Sequence, residues 1–196
     1  MVDIGLVHGR FQGLHHGHME YILSAKKLCK HLLVGICNPD PTQTIYDAAN
    51  PTRSEHDANP FSYYERFCML RNALLEAGVT KMEFDILPFP INLPALILNY
   101  APISATYYLT IYDKWGEKKL SILQEIGLKV QVLWRRSMNE RFTSGSEVRR
   151  CIMDNVPWNH LVPEVVYTYI TRNGLDVRIR EHAEKAVPEP SPRGCA

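Results

Sequence analysis

The sequence predicts an α/β fold, a doubly wound parallel sheet of five strands with a C-terminal helical segment. Three observations carry this expectation. Strand-like and helix-like segments alternate almost throughout the 196 residues, the succession produced by parallel strands joined through right-handed helical crossovers. An apolar run, Ile4 to Val7, leads into a glycine-containing turn and then into a helical pattern. Hydrophobic residues make up 45% of the chain, enough for a substantial core.

Residues 3–8 are expected to form a buried first strand, and 16–29 a helix with Met19, Ile22, Leu23 and Leu28 among its apolar positions. A second strand follows at 31–37 (HLLVGIC). Residues 38–60 are polar and broken by Pro39, Pro41, Pro51 and Pro60. They read as a long loop, of a length usually functional or mobile in compact domains. Ser62 and Glu65 stand at capping-box spacing at the head of a helix over 62–77, each side chain satisfying a donor at the helix start. Strands are expected at 82–89 and 106–112, with a short helix at 93–100 between them. Residues 115–126 read as a helix that stops at Gly127, a C-cap. Residues 129–134 alternate as the fifth strand, and 144–154 and 163–172 are the last helices. Residues 1–182 are thus expected to form one domain. Residues 183–196 hold three prolines and no apolar period, which predicts a disordered tail.

Charge narrows the function classes. With 22 basic and 21 acidic residues the net charge is +1, so no global field points to DNA, RNA or a membrane surface. Phosphate recognition has to be local. The five cysteines are odd in number and lack a C-x-x-C pair, which predicts free thiols in a reducing compartment. The chain opens on a strand rather than a signal core, and no run reaches the roughly 18 apolar residues of a membrane helix. A cytoplasmic protein without nucleic-acid or membrane partners is expected, with a homo-oligomer allowed.

Two segments carry chemistry. The first is Gly9-Arg10-Phe11-Gln12, followed by His15-His16-Gly17-His18 after the first strand. Backbone N–H groups at a helix start lack intrahelical acceptors and carry partial positive charge, so they favour phosphate. His15 and His18 lie three apart and share one helix face. Gly17 places no side chain between them, which lets a ligand approach the backbone. The plainer alternative is an ordinary βα turn with a polar helix start. A metal site is not expected, because His16 points away from the other two and no carboxylate stands nearby at ligand spacing. The second segment is Thr143-Ser144-Gly145-Ser146-Glu147-Val148-Arg149-Arg150. Ser144 and Glu147 again suit a capping box, while the hydroxyls and amides of Ser144, Gly145 and Ser146 suit a second anion site. Arg149 brings forked donors within reach of a phosphate. In open α/β sheets ligands bind beyond the carboxyl ends of the strands, where strand order reverses, and the first segment follows the first strand.

The strings GRFQGLHHGH (9–18), NPFSYYER (59–66) and SGSEVRR (144–150) resemble the H-x-G-H nucleotidylyltransferase superfamily, most closely the archaeal-type nicotinamide-nucleotide adenylyltransferases. The likeness covers residues 1–172 and implies a Rossmann-like nucleotidylyltransferase fold. It implies that His15, His18 and the amides near Arg10 and Phe11 hold a triphosphate, with Ser144, Ser146 and Arg149 closing over it. Gly13 stands where the family usually has proline, and residues 110–116 do not match the family strings closely. Asp113, Trp115 and Arg66 are taken as acceptor-side residues. Trp115 either stacks on a base or packs into the core, and Asp113 serves equally as an N-cap.

The resemblance implies transfer of a nucleoside monophosphate unit from a triphosphate to a phosphate-bearing acceptor, with release of pyrophosphate. The acceptor oxygen is already anionic, so neither a general base nor a covalent intermediate is expected. Catalysis then rests on alignment and charge stabilisation. His18 is placed nearest the α-phosphate, with His15 and Arg149 neutralising the outer phosphates. Mg²⁺ is expected to bind mainly through substrate phosphates. Cytidylyltransferases usually carry R-T-x-G-I-S-T where this chain has SGSEVRR, which favours ATP with a nicotinamide or nicotinate mononucleotide acceptor, as in NAD biosynthesis. The alternatives are CMP or AMP transfer to another phosphate or phosphonate monoester, and a nucleotide sensor without turnover. A class I aminoacyl-tRNA synthetase fragment is disfavoured by length, by the missing K-M-S-K-S-like loop and by the lack of a basic patch.

Overall fold

The computed structural model describes residues 1–44 and 58–185. Five strands, β1 (Val2–Gly9), β2 (Cys29–Cys37), β3 (Phe84–Phe89), β4 (Thr106–Ile111) and β5 (Lys129–Arg135), form one sheet in the order β3-β2-β1-β4-β5. Every pairing is parallel. The order runs one way from β1 to β3 and the other way from β4 to β5, so the reversal lies between β1 and β4. That gap is where a ligand is expected.

Strand β2 shows why the sheet is buried on both faces. Leu32, Val34 and Ile36 pack into one core while Leu33 and Cys37 pack into the other, so an unbroken apolar run satisfies two layers. The first layer holds α1 (His16–Lys26), α2 (Tyr63–Glu76), α4 (Gly145–Met153), α5 (Glu164–Arg172) and α6 (Leu175–Lys185). Met19, Ile22, Met69, Val148, Val166 and Ile179 from these helices join its core. The second layer holds α3 (Lys114–Glu125) and a short 3-10 segment, Pro94–Asn99, anchored by Leu123 and Ile97. Tyr21 crosses from α1 and donates its hydroxyl to the Tyr108 carbonyl at 2.6 Å, tying the helix to the strand beyond the reversal.

The expected elements are present with shifted ends. Helix α1 stops at Lys26, so Cys29 opens β2 instead of closing the helix. Strand β3 starts at Phe84, and the short helix expected at 93–100 is 3-10 in form. The 38–60 loop falls largely on 45–57, outside the described residues; Asp40 caps a 3-10 turn at its start. None of the four described cysteines is in a disulfide. No helix among the described residues is long and apolar enough to cross a membrane.

Helix α6 is a finding the sequence reading did not reach. Residues 183–185, expected in a disordered tail, form its last turn, and 186–196 lie outside the described residues. Its sequence is mostly charged, and only Leu175 and Ile179, four residues apart, are buried in the core. Arg178 then fastens the helix by donating to both Glu65 carboxylate oxygens at 2.7 Å and to the Pro60 carbonyl. Burial alone would raise the Glu65 carboxyl, but Arg178 and the Ser62 cap outweigh it and hold the group below its ordinary range.

Arg66 is corrected from an acceptor ligand to a structural pin. It is 3% exposed. Its guanidinium donates to the carbonyls of Ser62, Arg10, Cys37 and Asn38 at 3.2, 3.0, 2.7 and 2.8 Å, which uses four of its five N–H groups. It therefore ties α2 to the end of β2 and to the turn after β1. Replacing Arg66 with methionine is expected to cost at least roughly 3 kcal/mol in urea denaturation, because buried carbonyls lose their donors. The KM for acceptor should stay near wild type in the folded fraction.

Candidate active site

Beyond the carboxyl ends of β1 and β4 lies a cavity of about 590 Å³, within the range of small-molecule sites. Gly9, Arg10, Phe11, His15, Gly17 and His18 line one side; Ser144, Gly145, Ser146 and Arg149 another; Asp113 and Trp115 a third. Both chemistry-bearing segments thus open on one space. Arg66 is not part of its lining.

The turn after β1 is built from two unusual backbone positions. Phe11 has φ 52°, a left-handed conformation costing on the order of 1 kcal/mol for a residue with a side chain. Its ring is buried and meets His18 edge-on at 5.1 Å, which holds the turn in place. Gly13 has φ 85°, and proline, locked near −65°, cannot occupy that backbone. Gln12 clasps the turn to the start of α2: its side-chain amide donates to the Phe61 carbonyl, and the Phe61 N–H donates to its side-chain oxygen, both at 2.9 Å.

His15 is the N-cap of α1, and its Nδ1 accepts the His18 N–H at 3.3 Å. A neutral ring accepting at Nδ1 carries its proton on Nε2. The His15 and His18 rings stack at 3.7 Å. A Cβ on Gly17 would stand 3.1 Å from the His15 ring, so Gly17 makes room for that imidazole as well as lining the cavity. Burial first, then the charges of Arg141, His16 and Arg149, push the His15 imidazole down to about 3. In this environment His15 is a neutral N–H donor rather than the cation its sequence position suggested.

That pKa has a pH consequence with a definite sign. Between about pH 6.5 and 3 the unfolded chain binds a proton at His15 that the folded chain rejects, so this contribution to stability falls as the solution is acidified. Above pH 6.5 it is flat. His15→Asn keeps a capping oxygen but cannot titrate. In urea denaturation, moving from pH 7 to 5 is expected to cost wild type roughly 2 kcal/mol more than the variant.

The second segment behaves as two things at once. Ser144 caps α4, accepting the Glu147 N–H at 3.1 Å, while the Glu147 carboxylate accepts from Thr143 rather than closing a capping box. Arg149 donates to the Gln12 carbonyl at 2.7 Å and to the Ser146 hydroxyl at 3.1 Å. It is therefore buried and pre-aimed, not a swinging surface arginine. Gly145 permits this contact: a Cβ there would stand 2.6 Å from the Gln12 carbonyl oxygen.

The third side confirms the N-cap role of Asp113, which accepts the Gly116 N–H at 2.8 Å, and places it 3.7 Å from Arg141. Trp115 is buried yet still lines the cavity. Among the described residues, four cations (Arg10, Lys119, Arg141, Arg149) and two carboxylates (Glu20, Asp113) line the space, an excess of two positive charges among them within a chain of net +1. Lys119 and Arg141 escaped the sequence reading. The signal for Lys119 was its place four residues after Trp115 on one helix face. Arg141 gave no such signal.

The cytidylyltransferase-like family profile matches residues 6–151. The chain is 44% identical over 176 residues to phosphonoformate cytidylyltransferase of Streptomyces viridochromogenes, covering 90% of this chain and 95% of that one. It is 29% identical over 181 residues to nicotinamide-nucleotide adenylyltransferase of Saccharolobus solfataricus, with the same coverage of each. Among solved structures, the fold is like that of nicotinic acid mononucleotide adenylyltransferase of Plasmodium falciparum (TM-score 0.53, 12% identity, 90% of this chain and 98% of that one). It is also like the bifunctional NMN adenylyltransferase/ADP ribose pyrophosphatase of Francisella tularensis (TM-score 0.58, 16% identity). That match covers 97% of this chain but only 58% of the length of the bifunctional protein. With the family match and the 44% relative together, the chain belongs to the cytidylyltransferase-like family and is a nucleotidyltransferase.

Proposed function

We propose that this enzyme transfers CMP from CTP to a small phosphonate, releasing pyrophosphate. The observation that carries the reading is the 44% identity, over 95% of its length, to a phosphonoformate cytidylyltransferase, against 29% for the adenylyltransferase compared. This favours the alternative over ATP and a mononucleotide acceptor. The SGSEVRR string had pointed to ATP, but its Ser144, Gly145, Ser146 and Arg149 form a helix start suited to phosphate. Phosphates are common to both nucleotides, so that segment carries no information about the base.

The chemistry follows from the residues. The phosphonate oxygen is anionic near neutral pH and attacks the α-phosphorus of the triphosphate; the bond to the bridging oxygen breaks and pyrophosphate leaves with the electron pair. No protein nucleophile is needed. His18 acts at the α-phosphate, and neutral His15 donates through Nε2–H. Arg149, with the amides at the start of α4 and of the 9–13 turn, takes up charge on the departing pyrophosphate. A divalent cation would shield the phosphates. Among the described residues no three ligating side chains cluster, and the cavity carboxylates Glu20 and Asp113 face Arg136 and Arg141. That donor set fits an ion held by phosphate oxygens and water.

Pyrophosphate release should be measured with CTP and ATP, each paired with phosphonoformate and nicotinamide mononucleotide. The proposal expects kcat/KM for CTP with phosphonoformate to exceed that for ATP with the mononucleotide by about 100-fold or more. The reverse order would overturn it.

A further inference from the structure

His8 is the buried polar group that the phosphate machinery does not use. It is 3% exposed, and neither ring nitrogen has a hydrogen-bond partner among the described residues. A buried donor or acceptor left unsatisfied is costly, so an imidazole in this state is expected where a ligand completes it. The ring is also fixed in place: it stacks on Phe89 at 4.5 Å and 22°.

Its position separates it from the triphosphate. On β1, His8 has the same parity as Leu6, which packs into the α3-side core, whereas Val7 packs beneath α1. The ring therefore lies on the α3 side of the sheet, across from the helix that carries His15 and His18. Thr110, Trp115 and Lys119 line the cavity with it. Thr110 stands next to a register shift in the β4–β5 pairing, a device that often re-aims side chains beside sites. In-line transfer places the acceptor opposite the leaving pyrophosphate, which makes the α3 side the acceptor wall. Burial, and secondarily the charge of Lys119, hold the His8 imidazole neutral, so it offers one N–H donor beside a lysine.

We infer that His8 and Lys119 form a subsite for a second acid group on the acceptor, so that the enzyme selects small phosphonates carrying a carboxylate over those without one. This rests on the phosphonate reading above and adds the residues that enforce it. The lysine supplies charge and the imidazole supplies direction, filling its empty hydrogen-bonding capacity only when a carboxylate is present.

The test compares wild type, His8→Phe, His8→Asn and Lys119→Met with saturating CTP and either phosphonoformate or methylphosphonate as acceptor. The ratio of kcat/KM for phosphonoformate to that for methylphosphonate is expected to fall about tenfold in His8→Phe and Lys119→Met. His8→Asn, which keeps a donor, should recover part of it, with KM for CTP within about twofold throughout. An unchanged ratio, or an equal loss on both acceptors, overturns the subsite while leaving CMP transfer to phosphonates intact. If wild type uses neither phosphonate but does use nicotinamide mononucleotide, the functional reading and the subsite fall together. If His8→Phe does not fold, His8→Asn and Lys119→Met decide through the same ratio.

Discussion

His18→Ala is expected to lower kcat by about 100- to 1,000-fold, the loss seen when one donor to a developing charge is removed. The reasoning is geometric. His18 sits in the first turn of α1, lines the cavity, and is held there by the His15 stack at 3.7 Å and the Phe11 edge contact. Without a nucleophile or general base in the mechanism, charge stabilisation and alignment have to supply the rate. A preorganised donor at the α-phosphate then acts mainly in the transition state, so KM for the triphosphate should change far less than kcat. The ring is only half-buried, unlike the fully buried Leu14 and Ile22, so the urea midpoint should move little. Steady-state kinetics beside denaturation separates these effects, and near-normal turnover would remove His18 from the chemistry.

The second large effect is expected from Gly145→Ala. By helix propensity alone the change favours α4 by up to about 1 kcal/mol. The added Cβ, however, meets the Gln12 carbonyl oxygen at 2.6 Å and Arg149 Nη1 at 3.3 Å. The first neighbour is backbone and cannot swing aside, so α4 has to retreat from the 9–13 turn. That retreat breaks the 2.7 Å bond from Arg149 to Gln12 and separates the start of α4 from the 9–13 turn. A decrease in kcat/KM of about 100-fold is expected, since misplacement by an ångström is enough for that. The stability loss should be only about 1–3 kcal/mol. Activity within a few-fold of wild type would show that the start of α4 and the 9–13 turn need not touch.

Much of this architecture was legible because it rests on periodicity. The five strands and most helices announce themselves through apolar runs and capping residues, and the two glycine- and histidine- or serine-bearing strings sit where a parallel sheet puts ligands. What was not legible depends on three-dimensional neighbours. Helix α6 has only two buried anchors and is recruited by Arg178 binding Glu65, a contact 113 residues apart in sequence. Arg66 looks like a ligand-binding arginine until its carbonyl partners are known. His15 looks cationic until burial and nearby arginines are counted. His8 lay just ahead of the first string and, as a strand residue before the turn, pointed to nothing until both faces of β1 were assigned.

The claim beneath all of this is that the 9–13 turn and the start of α4 jointly hold a triphosphate. The direct measurement is a crystal structure with CTP or a non-hydrolysable analogue. The account predicts the phosphates between the amides near Arg10 and Phe11 and those of Gly145 and Ser146, with His18 at the α-phosphate and Arg149 still bound to the Gln12 carbonyl. Phosphates lying outside this cleft, or contacting only the 9–13 turn or only the start of α4, would contradict it.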